Sequence, residues 1–221
     1  MTITKLLLNP ERAVRRPVSW SIPQEWVGET VAILGGGPSL TPEQVEQAKR
    51  FRRIATNDAA LVLDPEADVM CWGDQRWFFW NQKELSKNKS RYRITWRHTP
   101  AMNGFPFHTL GYLSPNQSSL SLDPGFIAAT NTGHGAVNIA VLFGAKRILL
   151  LGFDMNQPGG KNNWHTRHKS GPDASRYQTL FVPELVKAKK LLDQLGIEVI
   201  NCSPTTSRLQ CFPFGDINQI F

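Results

Sequence analysis

Cysteine is scarce in this sequence, and long apolar runs are missing. The 221 residues include only Cys71, Cys202 and Cys211, and this small, odd number disfavours a disulfide scaffold and indicates a reducing compartment. A membrane-spanning helix needs about 18 or more consecutive apolar residues, and no stretch approaches that length. The three leucines at residues 6–8 are also too few for the core of a signal peptide. We therefore expect a cytoplasmic protein without a membrane span.

Charged residues are also few, at 19% of the chain, whereas 41% of the residues are hydrophobic. This balance excludes an intrinsically disordered chain, which would carry more charge and fewer apolar side chains. We expect one domain over residues 1–221, which is long enough to bury a sizeable core. The net charge of +7 favours an acidic partner: a nucleotide, a phosphate, a nucleic acid or an anionic glycan. The basic residues are dispersed, so a basic surface that only aids solubility is an equal alternative.

Short apolar runs alternate with helical patterns, and no repeat of about 20–50 residues indicates a solenoid or propeller. The predicted strands are residues 31–34, 53–56, 68–72, 91–96, 146–151 and 197–200, and the clearest helices are residues 132–144 and 184–195. Continuous apolar strands between helices predict a Rossmann-like α/β fold, with a mostly parallel sheet and helices on both faces.

Two long stretches interrupt the alternation. Residues 99–130 are rich in Pro, Gly, Ser and Asn, and residues 155–176 combine glycines with aromatic, His and Arg side chains. Loops of this length are usually functional or disordered. Because loop residues so often carry function, we expect lid-like segments here.

Three consecutive glycines, Gly35, Gly36 and Gly37, stand between the first predicted strand and a helix. Glycines at this place let backbone N–H groups approach an anion, and the dipole of the following helix favours negative charge. Pro38 and Ser39 interrupt the dinucleotide pattern GxGxxG, and no Gly-Lys-Ser/Thr follows as in a P-loop. A tight turn without a ligand is the alternative.

The helix after the glycines has a complete start signal. Thr41 is a good N-cap residue, Pro42 suits the first helical position, and Gln44 completes a capping box. The sequence therefore predicts that this helix begins at Pro42.

Small polar or acidic residues follow several of the predicted strands. In a parallel sheet these strand ends share one edge, where α/β proteins bind their ligands. The residues at this edge are Ser39, Asn57, Asp58, Asp74, Asp154 and Ser203. Asn131, Thr132 and Gly133 begin another helix, and two helix N-termini at one crevice suit a phosphate or diphosphate.

The second long stretch contains His165 and His168, with Arg167 between them. They are weak evidence for a zinc site, because no Cys pair or HExxH pattern accompanies them. A histidine general base beside an arginine that binds phosphate is a second interpretation. A solvated polar loop is the third.

A dense aromatic group follows the third predicted strand. Its members are Trp72, Trp77, Phe78, Phe79 and Trp80. With Arg76 it could form a stacking floor for a base or a sugar. We predict that most of these rings belong to the core and that one or two are exposed.

Residues 31–40, VAILGGGPSL, resemble the opening of bacterial sialyltransferases that act on lipooligosaccharide, which is an apolar strand followed by Gly-Asn-Gly-Pro-Ser-Leu. Further similar segments are residues 56–58, 131–133, 144–146, 151–154, 168–170 and 201–204. The same frame occurs in flagellin-glycosylation accessory factors, in an archaeal pterin diphosphokinase and in small phage and prophage proteins of unknown role. The chain departs from the pattern at Gly36, where the family has Asn.

The resemblance implies a nucleotide-binding domain with a mobile lid, a cytidine monophosphate sugar as donor, no metal, and no cofactor besides that donor. Carried over to this chain, it places the glycine turn, Ser39 and Asn57 along the nucleotide and puts Asp58 beside them. Asn131, Thr132 and Gly133 would hold the phosphate, and Asp154 would lie near the ribose or the acceptor.

The resemblance further implies a histidine that deprotonates the acceptor hydroxyl. This base is His168, which is followed closely by Ser170 as in the family, or else His165. Arg167 would steady the leaving phosphate. The paired tyrosines that hold this phosphate in the family have no clear match, and Trp164, Arg167 and Tyr177 are the available replacements.

The expected protein is therefore a glycosyltransferase whose partners are a nucleotide sugar and an acceptor glycan. One alternative is a diphosphokinase or nucleotidyl transferase, with a metal held by Asp58, Asp74 or Asp154. Another is a phage-type accessory protein that binds nucleic acid. The oligomeric state stays open, and a homo-oligomer is one alternative.

Overall fold

The computed structural model describes residues 20–97, 99–102, 104–114, 116–167 and 174–221. Its centre is a parallel sheet with the strand order β5-β4-β3-β2-β1-β8-β9, beside a two-stranded parallel ribbon of β6 and β7. The strands are β1 (Thr30–Leu34), β2 (Arg52–Thr56), β3 (Val69–Trp72), β4 (Tyr92–Thr95), β5 (His108–Thr109), β6 (Gly111–Leu113), β7 (Phe126–Ala128), β8 (Arg147–Leu151) and β9 (Glu198–Asn201).

The sheet is wound in both directions from β1. The chain steps outward from β1 through β2, β3 and β4 to β5, and then returns to place β8 on the other side of β1. The strand order therefore reverses between β1 and β8, and such a reversal opens a crevice at the carboxyl ends of the strands. The Rossmann-like parallel α/β fold predicted from the sequence is confirmed.

Each face of the sheet has its own apolar core. Val31 and Ile33 pack on the face that the helices of residues 132–143 and 182–194 cover, whereas Ala32 and Leu34 pack on the opposite face. All four side chains are fully buried, because successive residues of a strand point to opposite faces and both faces are covered. Burial of such an aliphatic side chain contributes about 1.5–3 kcal/mol, which is why the strands are continuous apolar runs.

The helices are α1 (Pro42–Ala48), α2 (Gln75–Leu85), α3 (Thr132–Phe143), α4 (Ala174–Arg176) and α5 (Val182–Gln194). The start of α1 is confirmed: Thr41 is the N-cap, and its side chain and that of Gln44 form the reciprocal hydrogen bonds of a capping box. A turn of π-helix, Tyr177–Phe181, connects α4 to α5. Within the part of the chain that the structure describes, no helix is long and apolar enough to cross a membrane.

The aromatic group on β3 and α2 divides as predicted. Trp72, Trp77 and Phe78 are buried, whereas Phe79 and Trp80 lie at the surface with exposed fractions of 48% and 38%. The buried rings pack with Phe105 and other apolar residues against the face of the sheet that α1 and α2 cover. Most of the group is therefore core.

The stretch 99–130 differs from the long loop that its composition indicates. It holds β5, β6 and β7, and Phe105, Leu110, Leu120 and Ile127 are buried. Its strands are only two or three residues long, too short for an alternating or continuous apolar pattern to show. This stretch therefore forms part of the core, and its role as a lid stays a prediction.

Candidate functional site

A cavity of about 760 Å³ opens at the carboxyl edge of the sheet. Its walls include the segments that follow five strands of the central sheet: Gly35 to Gly37 after β1, Asn57 after β2, Gly73 after β3, Arg97 after β4 and Gly152 after β8. This is the crevice where the strand order reverses, the place where open α/β sheets bind ligands.

The glycine turn is fastened to the end of β8. Gly35 donates its N–H to the Leu151 carbonyl and Gly37 donates its N–H to the Gly152 carbonyl, both over 2.8 Å. A Cβ at Gly35 or Gly37 would lie 2.6 or 2.5 Å from the Gly152 carbonyl oxygen, so these two glycines are required by packing within the protein. Among the described residues, no acceptor binds the N–H of Gly36, which is the one amide of the three that remains for an anion.

Ser39 and Asp154, two predicted nucleotide-binding residues, lie outside the described cavity wall. Ser39 donates its N–H over 3.2 Å and its hydroxyl over 2.8 Å to Asp154 Oδ2. Asp154 is 4% exposed, so the pair stabilises the glycine turn from within the protein and not from the cavity. The sequence predicted that both residues lie at the carboxyl edge of the sheet, but it could not show that they bind each other.

Asn57 lines the cavity in a strained backbone conformation. Its φ is +48°, in the left-handed region where Asn is among the few tolerated side chains. Its amide Nδ2 donates to Thr132 Oγ1 over 3.3 Å, and its buried Oδ1 has no described partner. Met155, also in the cavity wall, has a φ of +51°. Strain of this kind clusters at functional sites.

The first turn of α3 forms the next part of the wall, with Asn131, Thr132 and Gly133 all lining the cavity. Asn131 is the N-cap and accepts the N–H of His134 over 2.9 Å. The positive end of the dipole of this twelve-residue helix therefore faces the cavity, where it stabilises a negative charge.

Two buried polar residues of α3, which the sequence analysis missed, hold the 118–130 segment in place. Asn138 accepts the backbone N–H of Ser121 and of Ala128, each over 2.9 Å. The His134 ring lies 2.6 Å from the Ser119 carbonyl through Nε2 and accepts from Thr130 N–H through Nδ1 over 3.3 Å. Burial lowers the pKa of His134, against the opposing effect of the Ser119 carbonyl. The sequence of α3 is mostly apolar, so it did not indicate these hydrogen bonds of His134 and Asn138.

Asp58, His165 and Arg167 come together outside the described cavity wall. Asp58 is 3% exposed and accepts the indole N–H of Trp77 over 2.8 Å. Arg167 Nε lies 3.2 Å from its Oδ1, and His165 Nε2 lies 3.6 Å from its Oδ2. Asp58 therefore anchors the loop that carries the two predicted site residues.

His165 is a poor general base in this arrangement. Its Nδ1 accepts the Arg167 N–H over 3.1 Å, its Nε2 faces Asp58, and its side chain is 7% exposed. A base needs an accessible nitrogen within hydrogen-bond reach of the proton that it removes. The preferred base of the sequence prediction, His168, lies outside the described residues.

Three arginines line the cavity, and the sequence analysis had considered only Arg76, as a partner of the aromatic rings. Arg97 follows β4 and Arg176 ends α4. The sole carboxylate among the described wall residues is that of Asp74. Tyr177 lines the same wall, and burial, with a smaller effect of Asp154, raises the pKa of its hydroxyl. The cavity therefore has a positive lining suited to an anionic ligand.

The three carboxylates considered as metal ligands have separate partners. Asp58 binds Trp77, and Asp154 binds Ser39. Asp74 caps α2 by accepting the N–H of Arg76 over 2.8 Å. Across the described ranges, no group of three or more His, Cys, Asp or Glu side chains converges where it could hold a metal ion.

The fold and the cavity define a Rossmann-like α/β protein with a crevice lined by basic side chains. No protein family and no curated protein matches the sequence. Solved structures of the sialyltransferase CstII from Campylobacter jejuni are similar to it. The complex with the substrate analogue cytidine-5'-monophosphate (CMP) has a TM-score of 0.53 at 12% identity, covering 86% of each chain.

Two further complexes of this enzyme agree. The complex with CMP-3FNeuAc has a TM-score of 0.52 at 13% identity, covering 87% of this chain and 89% of the other. The complex with a trisaccharide acceptor and CMP has a TM-score of 0.51 at 13% identity, with the same coverage. The chain thus has a sialyltransferase-like fold.

Proposed function

We propose that this chain is a glycosyltransferase that takes a sugar from a nucleotide-activated donor. The observation that carries the proposal is a single cavity, at the switch point of a parallel sheet, into which Gly36, Asn57 and the N-terminus of α3 all project. The similar solved structures supply support, because this one enzyme was solved with CMP and also with CMP and a trisaccharide acceptor.

The donor phosphate lies at the first turn of α3 in this proposal. Thr132 and Gly133 offer the helix N-terminus, Gly36 offers its unused N–H, and Asn57 offers its unpaired Oδ1 to a hydroxyl of the nucleotide. Tyr177 and Arg176, which also line the cavity, replace the paired tyrosines of the sialyltransferases at the leaving phosphate.

The chemistry is a displacement at the anomeric carbon. The acceptor hydroxyl oxygen forms a bond to that carbon, the bond from the carbon to the phosphate oxygen breaks, and the hydroxyl proton passes to the base, His168. Negative charge grows on the departing phosphate, where the helix N-terminus and the arginines stabilise it. No metal takes part in this proposal.

Nucleotide binding tests the proposal with the wild-type chain and an Asn57→Gly variant. The unfolding transition is measured with cytidine, uridine, guanosine and adenosine nucleotides. A ligand at about 100 times its dissociation constant raises the free energy of unfolding by about 2.7 kcal/mol. Glycine at residue 57 relieves the left-handed strain while removing the amide, so the variant should stay folded and bind at least about tenfold more weakly.

Asn116→Gly, in a turn outside the cavity wall, controls for the flexibility that glycine adds to the chain. Transfer from the nucleotide sugar whose nucleotide binds is then assayed with glycan acceptors. A chain that no nucleotide stabilises, or an Asn57→Gly variant that binds as tightly as the wild type, would contradict the proposal.

A further inference from the structure

Gly36 differs from its two neighbours in the reason why a side chain is absent. Gly35 and Gly37 have no room for a Cβ beside the Gly152 carbonyl oxygen. A Cβ at Gly36 would approach a single described atom, in the side-chain amide of Asn163, at 3.1 Å. The φ of Gly36 lies outside the left-handed region, so its backbone can accommodate other residues. The absence of a side chain at residue 36 therefore leaves space for Asn163.

Asn163 reaches Gly36 from the loop that follows β8. Its Nδ2 donates to the carbonyl oxygens of Gly36 and Asn162, each over 3.2 Å. A carbonyl oxygen accepts hydrogen bonds and cannot donate them, so the NH2 group of the amide is the part that faces both. The next residue, Trp164, donates its backbone N–H to the same Gly36 carbonyl over 3.2 Å. Two consecutive residues of the loop therefore bind the glycine turn.

The loop has other contacts that hold it in this place. The Trp164 side chain packs against the apolar core on the face of the sheet that α1 and α2 cover. Arg167 Nε lies 3.2 Å from the buried carboxylate of Asp58. Because these contacts do not involve the Asn163 amide, its removal should leave the loop in position and the chain folded.

The Asn163 amide and the Gly36 backbone offer complementary groups to a ligand. Both residues line the cavity. The amide NH2 is occupied by two carbonyls, so Oδ1 is the atom of this side chain that can bind a ligand, and it accepts hydrogen bonds from a hydroxyl or an amino group. The Gly36 N–H, which no described residue accepts, offers a donor to an anion. A nucleotide carries both kinds of group.

We infer that Asn163 is a nucleotide-binding residue and that its amide occupies the space of a side chain at residue 36. This inference rests on the proposed function. The nucleotide site is then built from two segments, the turn after β1 and the loop after β8. An asparagine moved from residue 163 to residue 36 should consequently keep an amide in the site.

Exchange of the amide between the two residues tests the inference. Calorimetric titrations of the wild-type chain with CMP, UMP, GMP, AMP and their diphosphates identify the nucleotide that binds most tightly. Asn163→Ala should bind this nucleotide at least about tenfold more weakly, while its unfolding midpoint falls by no more than about 4 °C. The combination of Asn163→Ala with Gly36→Asn should restore the affinity to within about threefold of the wild type.

The combination of Asn163→Ala with Gly36→Ala is the matched control. It puts a Cβ at the same place and removes the same amide, but it supplies no new amide, so it should bind as weakly as Asn163→Ala alone. A second control, Asn116→Ala, removes an exposed asparagine side chain outside the cavity wall and should bind as tightly as the wild type. Unfolding midpoints without nucleotide verify that each variant is folded.

The outcomes separate this inference from the function on which it rests. The inference is wrong, and the glycosyltransferase proposal stands, if the wild type binds a nucleotide and Asn163→Ala binds it equally tightly. The same holds if the alanine combination recovers the affinity as well as the asparagine exchange does, or if a folded exchange variant binds as weakly as Asn163→Ala. Failure of every nucleotide to bind the wild-type chain overturns both.

Discussion

Ser39 and Asp154 bind each other across the back of the glycine turn, with 2.8 Å between Ser39 Oγ and Asp154 Oδ2. The same carboxylate oxygen accepts the Ser39 N–H. Ser39 opens the segment that leads into α1, and Asp154 follows β8, so the bonds fix the two sides of the sheet's switch point together. The shape of the cavity depends on this pair although neither side chain belongs to its described wall.

The Ser39→Ala variant should therefore lose stability and keep its ligand. It removes a hydrogen bond to a buried carboxylate, and we expect the free energy of unfolding to fall by about 1.5–3 kcal/mol. Nucleotide affinity should change less than about threefold. Urea denaturation measures the stability and calorimetry measures the affinity. A large loss of affinity at unchanged stability would indicate that Ser39 binds the nucleotide directly.

Alanine should lower the free energy of unfolding strongly at Gly37 and only slightly at Gly36. At Gly37 the new Cβ would collide with the Asp154 carboxylate and lie 2.5 Å from the Gly152 carbonyl oxygen, so we expect a loss of about 3 kcal/mol or more. At Gly36 the only close atom is Asn163 Oδ1 at 3.1 Å, and this side chain can move. Thermal denaturation compares the two variants, and equal midpoints would contradict the packing argument.

His134 should make stability depend on pH. Burial lowers its pKa in the folded chain, so the unfolded chain binds the proton more readily. The free energy of unfolding should therefore decrease as the pH falls below about 6.5, by at most about 1.4 kcal/mol per pH unit. In His134→Gln this contribution should vanish. Urea denaturation between pH 7.5 and 5, at values chosen about half a unit apart, gives both profiles; parallel profiles would refute the assignment.

The two loop histidines should separate in their effects on catalysis. His168→Ala should lower the rate of transfer by about 100-fold or more while nucleotide affinity changes little. His165→Ala should affect the rate less, because both ring nitrogens of His165 already face protein groups. Single-turnover rates and nucleotide titrations of both variants distinguish the roles. If only His165→Ala is inactive, the assignment of the base is wrong.

Transfer should continue in the presence of a chelator. Asp58, Asp74 and Asp154 are each bound to other protein groups, so the glycosyltransferase proposal assigns no metal to them. The transfer rate with excess EDTA is compared with the rate with added Mg²⁺. A rate that requires Mg²⁺ would favour the diphosphokinase or nucleotidyl transferase alternative.

The main strands and the starts of α1 and α3 could be predicted because each has a local signal. The buried runs of β1 and β8 are continuous and apolar, and the capping residues Thr41 and Asn131 stand directly before their helices. Strands β5 to β7 had no such signal. Asn138 of α3 binds Ala128 at the end of β7, and His134 and Asn138 bind Ser119 and Ser121 in the segment before β7.

The cavity was predictable in position but not in detail. Parallel topology places the strand ends at one edge, which brought Asn57 and Thr132 into the correct region. It does not show which polar side chains turn toward the cavity and which, like Asp58, turn toward protein partners. Arg97 was missed because a single arginine after a strand has no pattern, and only the tertiary structure brings it into the cavity wall.

The length of the π-turn Tyr177–Phe181 determines which side chains of the adjoining helices face the cavity. Such a turn holds one residue more than a regular turn, and each helical residue rotates the chain by about 100°. A deletion within it would let α4 and α5 join as an ordinary helix, but it would swing Arg176 and Tyr177 around the helix axis. Insertions and deletions here would therefore re-aim side chains of the cavity wall while the helix itself survived.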